Sequence, residues 1–199
     1  MESTRAQLSR RGFVKAMAAV SATSAFALAG CGSQRVGGSG AASGDYTITF
    51  AQGADPRGLD PAMIDDGESA KLMVQVYENL LQYEDDSCAI RPGLAESYEV
   101  SDDGLTYTFK LHEDIKYHDG TDFNAAAAKA SIERQLEPNR TEDMPYAEFT
   151  FGSAETGDGI ERIDAPDDTT LVITLRAASS AFLANLAMCM ASPIVSPPA

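Results

Sequence analysis

Histidine is nearly missing from this chain, with two residues among 199, and cysteine is scarce at three. Basic residues number 15 against 30 acidic ones, for a net charge of −15. No stretch reaches the roughly 18–20 uninterrupted apolar residues that a membrane-crossing helix needs. Each shortage excludes something. Two histidines leave little for a base–nucleophile pair, and neither Cys-x-x-Cys nor Gly-x-Ser-x-Gly occurs. The acidic surface repels phosphate backbones, and no Lys/Arg cluster follows residue 15, so nucleic acid is not an expected partner. What remains is a globular composition, 44% hydrophobic and 23% charged, long enough for one domain or one and a half.

Both histidines fall in one short acidic stretch, "HEDIKYHDG", residues 112 to 120. Imidazole beside carboxylate is the ordinary donor set for transition metals. The spacing argues against that use. His112 and His118 are six apart, which on a helix sets them about 240° round from each other. On a strand they share a face but lie roughly 20 Å apart. Only a sharp turn between them would bring both to one ion. No metal site and no cofactor is expected, and two solvated histidines on a polar face suffice.

The first 31 residues read as an address. A basic segment ending at Lys15 precedes a weakly apolar run from Ala16 to Ala29, the layout of a secretory signal. Arg10, Arg11, Phe13 and Lys15 resemble the twin-arginine export motif. The other reading is that the two arginines supply only the positive charge any signal peptide carries. Leu28-Ala29-Gly30-Cys31 resembles a bacterial lipobox, in which the cysteine thiol is acylated and becomes the new N-terminus. Cleavage there removes four basic residues and one acidic one, leaving 11 basic against 29 acidic. The following "GSQRVGGSGAASG" cannot bury anything and reads as a flexible tether. With Cys31 acylated, Cys88 and Cys189 remain, which is no disulfide framework.

Beyond the tether the periodicities mix. "DYTITFAQ" (45–52) alternates like a strand. From Glu68 to Leu81, Met73, Val76, Tyr77 and Leu80 fall at helical spacing, which predicts one buried helix face behind an acidic start at Asp65, Asp66 and Glu68. "SYEVSDDGLTYTFKL" predicts a hairpin turning at Asp102-Asp103-Gly104, with Tyr107, Phe109 and Leu111 inward and Thr108, Lys110 and His112 outward. Asp119-Gly120 closes a further turn. Asn124 is a natural N-cap for "AAAAKASIERQL". A loose Gly-rich acidic stretch to residue 159, a second hairpin turning around Pro166 to Asp168 and a short helix in "SSAFLANLAM" follow. The expected fold class is α+β with antiparallel hairpins.

The ordered run Arg91, Pro92, Leu94, Ala95, Ser97, Tyr98, Asp103, Gly104, Tyr117, His118, Asp119, Gly120, Phe123 and Ala125 resembles the signature of family 5 extracytoplasmic solute-binding proteins. These form the peptide/nickel group that serves ATP-binding-cassette importers. One departure lies after Asn124-Ala125, where Ala126, Ala127 and Ala128 replace a frequent acidic pair and valine. That change is expected to alter a helix surface. The resemblance implies a type II periplasmic-binding-protein-like fold. In that division residues 1–30 are the signal peptide, 31–44 the tether, 45–64 the opening of a large lobe, 65–178 a small inserted lobe, and 179–199 a return into the large lobe. It implies no catalysis and a structural role for His118-Asp119-Gly120. It also implies an oligopeptide ligand (a nickel complex being the other cargo of such proteins), permease and ATPase partners, and a lipid anchor. Family chains run to about 500 residues and close a second large lobe over the ligand, so a truncated copy is expected here. The loop Asp65, Asp66 and Gly67 would border the ligand, although capping the following helix explains its acidity equally. The rival readings are a fragment with no transport role and an exported lipoprotein enzyme.

Overall fold

The computed structural model describes residues 49–197. The export signal, the lipobox, the tether and the first half of the expected 45–52 strand lie outside the described residues. Residues 49–52 carry no regular structure.

The first helix, α1 (Gly67–Val76), starts where the acidic cluster predicts. Asp66 is its N-cap, accepting from the Ser69 N–H at 2.9 Å. It stops five residues before the expected Leu81, and Tyr77 leaves it in extended conformation. The cause is tertiary. Glu78 O accepts from Ile194 N, Asn79 O from Leu94 N, and Leu80 O from Gly93 N and Ala95 N. A longer helix would consume the backbone groups that tie this stretch to two other segments. Leu80 is buried as expected, but from a bend beyond the helix, whereas Val76, expected inward, is 48% exposed.

Beyond the kink, β1 (Leu81–Tyr83) pairs antiparallel with β2 (Ile90–Pro92), a small ladder that the helical reading had hidden. The main sheet contains β3 (Ala95–Val100), β4 (Thr106–Leu111), β5 (Ile160–Asp167) and β6 (Thr170–Leu175) in the order β3-β4-β6-β5, all antiparallel. The β3–β4 hairpin follows its alternation: Tyr107, Phe109 and Leu111 are buried, and His112 is exposed. Gly104 takes the left-handed conformation at φ 71°, which any side chain would resist.

The second hairpin turns later than expected, at Asp168-Thr169, with Asp167 opposite Thr170 and accepting from the Thr169 N–H. Pro166 therefore lies within β5. That is allowed because β5 is an edge strand, and the ladder slips between Asp164 and Asp167 where proline has no N–H to donate.

Helix α2 (Ala125–Glu133) is capped by Asn124, whose side chain accepts from the Ala127 N–H at 2.9 Å. It packs on β5 and β6 through small residues. Ala127 and Ala128 are buried, so two of the three alanines expected to alter a surface belong to the core instead. The loose acidic segment contains a further helix, α3 (Ala147–Phe151), which buries Phe151, and α4 (Phe182–Asn185) forms where the last helix was expected. One apolar cluster joins Leu80 and Leu81, the inward faces of β4 and β6, Ile132, Phe151, Phe182, Leu186 and Ile194.

Candidate functional site

Residues 186–197 form no helix or strand, yet they are firmly placed. Asn79 Nδ2 donates to the carbonyls of Leu186 and Met188, Gln135 Nε2 to the carbonyl of Ala191 at 2.7 Å, and the Val195 N–H to Ser131 Oγ at 2.9 Å. Asn79, Gln135 and Ser131 are all buried, so each bond forms where an unpaired group would be costly. The loop before α1 is tied to the same region. Asp60 makes a two-pronged ion pair with Arg134 at 2.8 and 2.6 Å, which holds its carboxyl below the usual range.

This arrangement leaves a concavity of about 760 Å³ between the last turn of α1, the short hairpin around Asp119-Gly120, and the segment 194–196. Val74, Val76, Ile115, Ile194 and Val195 make its walls largely apolar, and Tyr77, Tyr117, His118 and Asp119 stand along it. The hairpin is closed by Tyr117 N to Thr121 O, by Gly120 N to Tyr117 O, and by the Lys116–Asp122 ion pair. Tyr117 stacks edge-on against Phe123 at 6.0 Å, and its hydroxyl is buried without a partner. Burial first, and the nearby Asp119 second, push its pKa up to about 12.

Asp119 is the latch of this rim. Its carboxylate accepts from Ser196 Oγ at 2.6 Å and from the hydroxyl and N–H of Thr121, which lowers its pKa to about 2. A carboxylate whose folded pKa lies below its unfolded value of 3.8 stabilises the fold above that value and loses the contribution as pH falls toward about 2. Acid titration should therefore free Ser196 from Asp119 over that window, while the Ile194 and Val195 N–H groups stay bonded to Glu78 O and Ser131 Oγ. An Asp119→Asn variant should lose that step in a hydrogen-exchange profile of the segment, while an unchanged step would mean that another carboxylate carries it.

The sequence-predicted residues fall in two places. Arg91 Nε donates to the Tyr83 carbonyl, Pro92 pairs with Leu81, and Leu94 and Ala95 are buried behind β1. Ser97 follows a bulge, Tyr98 packs on Phe109 at 6.2 Å, and Asp103 caps the hairpin turn by accepting from Leu105 N and Ser101 Oγ. Tyr117, His118, Asp119, Gly120 and Phe123 build the rim just described, with His118 exposed on it. Asp65, Asp66 and Gly67 do not line the concavity. Asp65 pairs with Arg57 at 2.6 Å, and Asp66 caps α1, where its bond from the Ser69 N–H lowers its pKa. Among the described residues no three His, Cys, Asp or Glu side chains come together as a metal cluster. Sequence reading missed Asn79, Ser131, Gln135 and Arg134, whose partners lie far away along the chain.

The sequence profile of the bacterial extracellular solute-binding proteins, family 5 Middle, matches residues 89–198. The chain is 35% identical over 159 residues to heme-binding protein A of Haemophilus influenzae, covering 73% of this chain and 28% of that one. It is 40% identical over 149 residues to the glutathione-binding protein GsiB of Escherichia coli K12, covering 73% and 27% respectively. Its fold superposes with a TM-score of 0.62 and 32% identity on the periplasmic binding protein DppA of Helicobacter pylori in complex with the peptide STSA, covering 72% and 30%. The chain thus spans less than a third of the length of these relatives. The fold is a portion of a type II periplasmic binding protein, and the chain belongs to the family 5 extracellular solute-binding proteins.

Proposed function

We propose that this chain is the extracytoplasmic substrate-binding component, or the N-terminal part of one, of an ATP-binding-cassette importer for oligopeptides. The observation that carries the reading is the signature run from Arg91 to Phe123, which builds the β3–β4 hairpin and the concave rim within the matched residues 89–198. GsiB is named for glutathione, a tripeptide, and DppA is complexed with a peptide. NikA of Brucella suis, 27% identical, is complexed with Fe(III)-EDTA, which keeps a nickel or other metal chelate as the alternative cargo. The relatives carry binding-protein names, which leaves the exported-enzyme reading without support.

The remaining assignments follow from this reading. Residues 45–64 and 179–199 belong to a large lobe and 65–178 to the small one. Ligand contact by Asp65, Asp66 and Gly67 is part of the same proposal, although they lie off the concavity, Asp65 paired with Arg57 and Asp66 capping α1. Cys31 carries acyl chains that hold the protein on the membrane, at about 0.8 kcal/mol per buried CH₂. Arg10, Arg11, Phe13 and Lys15 direct twin-arginine export. The importer's permease and ATPase are the protein partners. A second reading, a family 5 lobe with no transport role, draws on Asp65 and Asp66 being engaged with Arg57 and the α1 cap and not with the concavity.

One comparison of cells with and without the gene separates the two. Transport predicts slower uptake of a labelled tripeptide in the deletion strain, together with an acylated Cys31 N-terminus in the mass spectrum of wild-type membranes. Unchanged peptide uptake favours the second reading, and an intact residue 1 on a cytoplasmic protein removes the anchor.

A further inference from the structure

Ala191 holds a left-handed backbone, φ 64°, although it carries a side chain and is buried at 1% exposure. Across it the Ser192 N–H donates to the Met190 carbonyl at 2.8 Å, a γ-turn of the rarer, strained hand. Strain of this kind persists only where the surroundings over-determine it. Here they do: the Ala191 N–H donates to the Pro61 carbonyl at 2.8 Å, and its carbonyl accepts from Gln135 Nε2 at 2.7 Å. Two further costs fall at the same joint. Gln135 Oε1 and Arg134 Nε are buried without a partner, although Gln135 Nε2 and both Arg134 Nη atoms are bonded. Beyond the turn, Ile194, Val195 and Ser196 are tied to Glu78 O, Ser131 Oγ and the Asp119 carboxylate, and they make one wall of the concavity.

We propose that residues 191–196 form a strap that opens as a unit about the Ala191 γ-turn, baring that side of the concavity while the main sheet stays folded. The left-handed alanine and the two orphaned polar atoms raise the free energy of the closed position at the joint alone. Opening relaxes Ala191 and lets water reach Gln135 and Arg134. What holds the strap shut is the set of bonds at Ala191, Ile194, Val195 and Ser196, together with the burial of Ile194 at 4% exposure. None of those bonds goes to a strand of the main sheet, so releasing them leaves its three ladders whole. The strap therefore opens at a lower free energy than the whole fold. A ligand seated in the concavity touches the strap only in the closed position, so its binding and strap closure reinforce each other.

The test is native-state hydrogen exchange of the full chain, read by NMR at the Ala191, Ser192, Ile194 and Val195 N–H groups and along β4. Corrected for intrinsic rates, the strap amides are expected to exchange together, about 100-fold or more faster than those of β4. Ile173→Val trims a fully buried residue of β6, so it should speed β4 exchange roughly 2–10-fold and leave the strap rates as they were. Gln135→Leu removes the donor that holds the Ala191 carbonyl and should speed the strap amides about tenfold. If Gln135→Leu fails to fold, the Ile173→Val comparison decides alone. Strap amides that exchange at β4 rates, or that accelerate alongside them in Ile173→Val, would overturn the proposal. So would strap rates unchanged by Gln135→Leu.

Discussion

Replacing Phe109 by alanine is expected to cost about 3–5 kcal/mol of folding stability. Phe109 is fully buried at 0% exposure, at the centre of β4, where the ladders to β3 and β6 meet at Tyr98 and Leu171. Its ring belongs to the cluster that also contains Ile132, Phe151 and Phe182, so a cavity there would be bounded by elements that cannot all collapse inward. Thr108, one residue earlier and on the opposite face, is only half-buried, and Thr108→Ala should cost well under 1 kcal/mol. Urea unfolding of the two variants gives the comparison. Equal losses would mean that the alternation along β4 does not decide its inward face.

A comparable loss, about 2–5 kcal/mol, is expected from Gly159→Ala, for a backbone reason. Gly159 has φ 79°, and a Cβ placed on it would stand 2.1 Å from the Phe151 carbonyl oxygen and 2.5 Å from the Gly152 Cα. Gly152 is the mirror case: it has φ 71°, and its added Cβ would meet the Gly159 Cα at 2.3 Å. The chain crosses itself at this point, bringing α3 against the start of β5, and neither neighbour is a side chain that could swing aside. Gly67→Ala is the control, because nothing lies within 4 Å of its added Cβ. That variant should be neutral or slightly stabilising, and a Gly159→Ala protein as stable as the control would contradict the crossing.

What could be read ahead of the structure was local. Asn124 and Asp66 cap their helices through their own N3 amides, within three residues, and Asp103-Gly104 turns its hairpin through the Asp103 carboxylate and a positive φ. What could not be read depends on distant partners. α1 ends at Val76 because Glu78, Asn79 and Leu80 bond to residues far along the chain, as far as Ile194, and no helical periodicity carries that information. Pro166 reads as a turn residue until β5 is known to be an edge strand. The concavity was hidden for the same reason, since its three walls are separated in sequence and are joined by long-range bonds such as Ile194 N to Glu78 O and Ser196 Oγ to Asp119. The histidine stretch shows both sides: the strand pattern put His112 on a polar face, while the place of His118 along the concavity required the fold.

In the proposed function, residues 45–199 supply one side of a peptide clamp. In such a clamp two lobes close, exclude water and satisfy the peptide's backbone groups from both sides. A single side offers only part of those hydrogen bonds while most of the association entropy must still be offset. The most direct test is calorimetric titration of a polypeptide of residues 45–199 with a mixed di- to pentapeptide library. The account predicts dissociation constants no tighter than about 1 mM, or roughly −4 kcal/mol. Micromolar, stoichiometric binding would contradict it, because the concavity of Val74, Tyr117 and Ile194 would then be a complete site by itself.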